Sequence, residues 1–230
     1  MSSCFLRAAV RFSILFFCAF SSAQTPPAAT TAPTKAASPA APLVDYQEVM
    51  IPMRDGIRLQ TVIMRTPGFS GPLPILLERT PYGVPPKVPE KMPPEIQQLA
   101  ADGYIFVYQN LRGRFKSDGA FTVANDLRTE SGKGTIETRD AWDTIDWLVK
   151  NVPNNNNRVG IYGVSYEGYT AGATLLEPHP ALRAVSEQAA PTDEWMNDDF
   201  HHYGAFRLSY AFEYSILEEM DKTANTPFCP

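Results

Sequence analysis

Between a buried-strand pattern, Arg158-Val159-Gly160-Ile161-Tyr162, and a small-residue helix pattern running from Thr170 to Leu176 stands the segment Gly163-Val164-Ser165-Tyr166-Glu167-Gly168. A strand that turns so abruptly into a helix leaves room only for small residues around the central serine, and the strain holds its hydroxyl above the sheet edge. The segment reads as a nucleophile elbow of the G-x-S-x-G kind, with Ser165 as the nucleophile. A glycine-bounded turn carrying a solvated serine would not explain why the constrained positions fall at a strand-helix junction.

The N-terminal part sets the boundaries of the foldable chain. Arg7 and Arg11 precede an apolar run, Phe12 to Phe20, and then the small residues Ser21-Ser22-Ala23. This is the pattern of a secretory signal peptide cleaved near Ala23, and it implies a secreted or periplasmic protein. The apolar run is shorter than the roughly 20 residues needed to span a bilayer, so no membrane segment is expected. Residues 24–43 are rich in Pro, Ala, Thr and Ser, too polar to offset their ordering entropy, and read as a disordered tether. Of the three cysteines, Cys4 and Cys18 belong to the signal, which leaves Cys229 without an intrachain partner. The formal net charge is −5, and no Lys/Arg-rich run interrupts it, which argues against a nucleic-acid partner.

From Tyr46 onward strand-like and helical segments alternate, the pattern of an α/β domain with a mixed sheet. Tyr46–Met53 and Arg54–Met64 read as a hairpin turning at Asp55-Gly56. Pro74–Arg79 and Tyr104–Gln109 read as strands covered on both faces. Glu95 to Asp102 reads as a helix ending at Gly103. The segment Glu137–Lys150 reads as a helix with Ile136, Ala141, Ile145, Leu148 and Val149 near its apolar face and Asp140, Asp143 and Asp146 on a solvated one. Asn154–Asn157 reads as a polar loop, and Leu182–Gln188 as the next strand. Beyond Thr192 the pattern turns helical and aromatic. The expected division is therefore a core over residues 44–192 and the start of a helical cap over residues 193–230.

Several motifs together resemble one family, the cocaine-esterase-like serine hydrolases, which include α-amino-acid ester hydrolases, glutaryl-cephalosporin acylases and Xaa-Pro dipeptidyl peptidases. They are the Met53-Arg54-Asp55-Gly56 turn, Arg79-Thr80-Pro81-Tyr82, the run Leu111-Arg112-Gly113-Arg114-Phe115-Lys116-Ser117-Asp118-Gly119, the helix with Asp140, Asp143 and Trp147-Leu148, and Ser165-Tyr166-Glu167-Gly168. The stretch Asp198 to Phe206 is most similar to the α-amino-acid ester hydrolases. The resemblance implies an α/β-hydrolase core in which Ser165 forms an acyl-enzyme with a small-molecule ester or amide. It implies two donors for the developing oxyanion, the backbone N–H of Tyr166 and the hydroxyl of Tyr82. It also implies that Asp199 binds a substrate α-ammonium by a charge-assisted hydrogen bond. Read without the family, Asp198 and Asp199 would be an N-cap and a first-turn acid of a helix. Asn110 departs from the family, which usually has an aspartate there.

A serine needs a base and a group that orients it, and in this fold the order is Ser, then Asp or Glu, then His. His179 reads as a helix C-terminal residue, and His201 and His202 lie in the cap segment. The base and its acid are thus expected beyond Pro230, the chain being the N-terminal part of a hydrolase whose sheet stops after about the sixth strand. Such a sheet is expected to expose an unpaired edge. The competing expectations are a non-catalytic binding remnant and, for a completed chain, Xaa-Pro dipeptidyl peptidase or β-lactam acylase activity; the partner expected besides substrate is a second copy of the chain or a complementing C-terminal chain. No metal or organic cofactor is implied, because no His, Cys or acid cluster has ligand spacing.

Overall fold

The computed structural model describes residues 44–89, 92–123, 136–193, 195–196 and 199–219. The expected signal peptide and tether, residues 1–43, lie outside these. One six-stranded sheet is built from β1 (Asp45–Pro52), β2 (Arg58–Arg65), β3 (Leu73–Thr80), β4 (Ile105–Asn110), β5 (Asn155–Val164) and β6 (Leu182–Gln188). Its spatial order is β1-β2-β4-β3-β5-β6. β2 runs antiparallel to both β1 and β4, and the remaining neighbours are parallel, so the sheet is mixed as the alternation implies. The β1–β2 turn uses Gly56 at φ 87°, and its N–H donates to Met53 O at 2.9 Å.

The two-residue period sorts the strands onto two faces. Ile75 and Leu77 of β3, Ile105 and Val107 of β4, and Val159 and Ile161 of β5 point into one apolar layer. There they meet Ile145 and Leu148 of α2 (Ile136–Asn151) and Ala171 of α3 (Tyr166–Ala173). Val62, Met64, Leu76 and Phe106 point the other way, against Ile96 and Ala100. Ala100 belongs to α1 (Gln97–Asp102), a short helix ended by Gly103 at φ 89°.

This arrangement positions the site. The connection from β3 to β4 runs through α1 on one face, and that from β4 to β5 runs through α2 on the other. β3 and β5 are adjacent in the sheet. Their C-terminal ends therefore flank a topological switch point, where open α/β sheets form a crevice.

Four expectations need correction. The asparagine run is not a loop throughout, because β5 begins at Asn155, with Asn154 and Asn157 both at positive φ. Ile136 is exposed rather than part of the apolar face of α2. Asp140 is not solvated. It is 1% exposed, because Arg112 reaches it from the loop after β4. Asp143 pairs with Arg54, and Asp146 with Lys150 and, at 3.5 Å, with His179. Finally, the cap segment does not start as a helix. A small hairpin of β7 (His201–His202) and β8 (Ala205–Phe206) precedes α4 (Leu208–Glu219). Asp199 therefore leads into a strand and is no first-turn acid of a helix, while Asp198 lies outside the described residues.

Candidate active site

Ser165 occupies the junction of β5 and α3 with φ 61° and ψ −124°, a conformation that costs a non-glycine residue about 1–3 kcal/mol. Hydrogen bonds on both sides hold it there. Its N–H donates to Gln188 O of β6 at 2.9 Å, and its carbonyl accepts from Tyr169 N–H at 3.0 Å. The turn is closed so tightly that a Cβ on Gly163 would lie 2.3 Å from the backbone of Glu167. A Cβ on Gly168 would lie 2.6 Å from Gln188 O. The second glycine stands three residues after the serine, not two as in G-x-S-x-G, and Glu167 fills the intervening place.

The two residues expected to supply donors arrive from opposite sides of the switch point. Tyr166 is the first residue of α3, so its N–H has no intrahelical acceptor and sits at the positive end of the helix dipole. Its ring is buried against Phe121 and Tyr169, which fixes the backbone that carries the N–H. Tyr82 follows the end of β3 and is 41% exposed. Its hydroxyl lies 3.1 Å from the hydroxyl of Tyr214 on α4.

The loop Thr80-Pro81-Tyr82 is fastened from two sides. From the elbow helix, Glu167 Oε1 accepts from Thr80 Oγ1 at 2.7 Å, while Thr80 Oγ1 accepts the Tyr82 N–H at 3.0 Å. One turn on, Thr170 Oγ1 donates to Arg79 O at 2.9 Å. From the loop after β4, the buried Arg114 donates from Nε to Pro81 O at 2.7 Å, its guanidinium 5.1 Å above the Phe121 ring. Burial pushes the Glu167 carboxyl above its usual range, and the Thr80 bond only partly opposes this.

Beneath this loop lies a charged layer that sequence reasoning missed. Arg79 is fully buried. It donates from Nε to Gln109 Oε1 at 3.0 Å, and from Nη1 to Glu137 O at 2.9 Å and Glu137 Oε2 at 3.2 Å. Arg112 bridges Asp140, by Nε at 2.9 Å, and Asp55, by Nη1 at 2.6 Å. The Arg112 hydrogen bond holds the Asp55 carboxyl below its usual range. Asn110, the departure from the family, donates from Nδ2 to Gln60 Oε1 at 2.7 Å, a bond that an aspartate could not give.

Asp199 is half-buried in the bend before β7. The next residue, Phe200, packs on Tyr210 and Tyr214, which ties this bend to the tyrosine that meets Tyr82. The histidines are engaged elsewhere. His179 Nδ1 accepts from Ala181 N–H at 3.0 Å and its ring meets Trp142 edge-on. His201 lies between Trp195 and Phe206, and His202 stacks edge-on against Tyr203. Among the described residues, none of these histidines hydrogen-bonds the Ser165 hydroxyl.

Comparison with known proteins gives a consistent picture. The profile of the X-Pro dipeptidyl-peptidase (S15) family matches residues 55–227. Cocaine esterase from Rhodococcus sp. (strain MB1 Bresler) is 31% identical over 170 residues, which are 74% of this chain and 28% of that protein. Among solved structures, a selenomethionine-labelled α-amino acid ester hydrolase is 38% identical at a TM-score of 0.73, covering 83% of this chain and 32% of its own. An aminopeptidase from a marine sediment archaeon, Thaumarchaeota archaeon, is 36% identical at 0.71, covering 84% and 34%. The chain thus spans about a third or less of the length of these relatives.

Proposed function

Because this chain belongs to the X-Pro dipeptidyl-peptidase (S15) family of serine hydrolases, we propose that it carries the nucleophilic half of an acyl-transfer site for esters or amides of α-amino acids. The observation that carries this reading is the backbone of Ser165, held at φ 61° between β5 and α3 beside the loop of Tyr82. In this reading Ser165 Oγ attacks the substrate carbonyl and the alcohol or amine leaves, forming an ester that water then cleaves. The oxyanion is held by the Tyr166 N–H and the Tyr82 O–H, preorganised donors that gain strength as negative charge develops. Asp199 takes the substrate's α-ammonium, which explains the choice of an α-amino acyl group. We place the general base and its orienting carboxylate outside these 230 residues, in keeping with the order Ser, acid, His and with the greater length of the relatives. The signal-like residues 1–23 support export of the protein from the cytoplasm.

The test is hydrolysis of an amino-acid methyl ester by the encoded protein and by its Ser165→Ala variant. Turnover is expected to fall by about 10⁶-fold in the variant, and acetylating the substrate amine is expected to weaken binding. Equal turnover by the two proteins would overturn the assignment, and equal binding of the acetylated ester would overturn the role of Asp199.

A further inference from the structure

We propose that Glu167 is a positioning residue that acts through Thr80 to set the spacing of the two oxyanion donors. The inference rests on the functional reading of Ser165, Tyr166 and Tyr82 and adds what fixes their geometry. Glu167 directly follows Tyr166, and so moves with the first turn of α3. Its only side-chain partner among the described residues is the Thr80 hydroxyl at 2.7 Å. The same hydroxyl oxygen accepts the Tyr82 N–H at 3.0 Å. A hydroxyl donates one proton and accepts others, so donating to Glu167 orients the lone pairs of Thr80 toward the Tyr82 amide. One hydrogen-bonded path therefore joins the helix that carries the Tyr166 N–H to the loop that carries the Tyr82 hydroxyl.

The choice of residue supports a role beyond packing. Glu167 has its backbone pressed against Gly163, where it leaves no room for a Cβ, and its side chain at this half-buried place is a long acid rather than a small residue. Placing a carboxyl there costs desolvation free energy, visible in its raised pKa, with a single neutral hydroxyl from another residue as compensation. An apolar side chain would pack without that cost but could not bind the Thr80 proton.

The experiment compares Glu167→Ala, Glu167→Gln, Thr80→Val and Thr80→Ser in the encoded protein by amide hydrogen exchange at Tyr82, with the β4 amides as internal reference, and by steady-state hydrolysis of an amino-acid methyl ester. Glu167→Ala and Thr80→Val are expected to speed exchange at Tyr82 without speeding it in β4. They are expected to lower kcat by up to about 10²-fold, the scale of a displaced catalytic group, with KM nearly constant. The pair combined is expected to cost no more than the worse single change, because both cut one path. Glu167→Gln keeps an acceptor and Thr80→Ser keeps the hydroxyl, so both restore exchange and kcat. Unchanged Tyr82 exchange, acceleration spread equally through β4, or an unchanged kcat in an enzyme that requires Ser165 would each overturn the proposal. Loss of the Ser165 requirement would instead overturn the functional reading, and the exchange data would still judge the link from Glu167 to Tyr82.

Discussion

Tyr82 and Tyr214, 132 residues apart in the chain, meet hydroxyl to hydroxyl at 3.1 Å. One phenol thus holds the other's rotor before any substrate arrives. Under the proposed mechanism Tyr82→Phe deletes an oxyanion donor and is expected to lower kcat by about 10²–10³-fold. Tyr214→Phe only frees the rotor, and the loss of one neutral hydrogen bond corresponds to about a 2- to 10-fold decrease. Steady-state kinetics on both variants and their double checks this, the double falling no further than Tyr82→Phe alone.

Gly163→Ala and Gly168→Ala are expected to destabilise the protein by about 1–3 kcal/mol each, the cost of forcing a methyl into a filled space. In both cases the obstruction is backbone, at 2.3 Å from Glu167 and 2.6 Å from Gln188 O, and cannot rotate away. Urea denaturation would show the midpoint moving down.

Arg79→Met is expected to cost about 3–5 kcal/mol, the scale for removing one partner of a buried ion pair. The change removes the guanidinium that faces Glu137, itself 2% exposed, and one of the two donors to Gln109 Oε1, the other being Thr144 Oγ1. Lys116, an exposed cation paired with Glu48, serves as the contrast: Lys116→Met is expected to leave stability nearly unchanged, because solvent screens such a pair. Equilibrium unfolding of both variants makes the comparison.

The pH dependence of stability should carry two opposite signatures. Burial raises the Glu167 pKa above the 4.5 of a free side chain, so folding favours its neutral form. Its contribution is complete below 4.5 and is lost as pH rises through the folded pKa, so Glu167→Gln gains stability relative to the parent over that rise. The Arg112 bond lowers the Asp55 pKa below 3.8. Its contribution is present above 3.8 and disappears as pH falls through the folded pKa, so the penalty of Asp55→Asn vanishes in acid. Thermal melts from pH 3 to pH 8 would read both trends.

What was legible in the chain was what is local. The elbow, the Asp55-Gly56 turn and the helix stop at Gly103 each depend on a few consecutive residues, and each stands where the residues placed it. Asp140 was misread because period alone sets its face, whereas its cations come from β3 and from the loop after β4. The His201–Phe206 hairpin was missed because a dense aromatic stretch has no clear period, and its rings pack on one another across the turn. Thr80 and Glu167 drew no notice as a pair because nothing near either residue points to the other, 87 positions away.

The buried guanidinium of Arg79 has a further consequence, for the order of assembly. Its side chain lies on the same face of β3 as Ile75 and Leu77, while its anionic partner Glu137 comes 58 residues later. A β3 buried before that helix docks would hold a bare cation in a dry layer, a state that costs several kcal/mol. Closing β3 into the sheet before α2 docks is therefore expected to be penalised, which couples the burial of this strand to the docking of a helix that comes later in the chain.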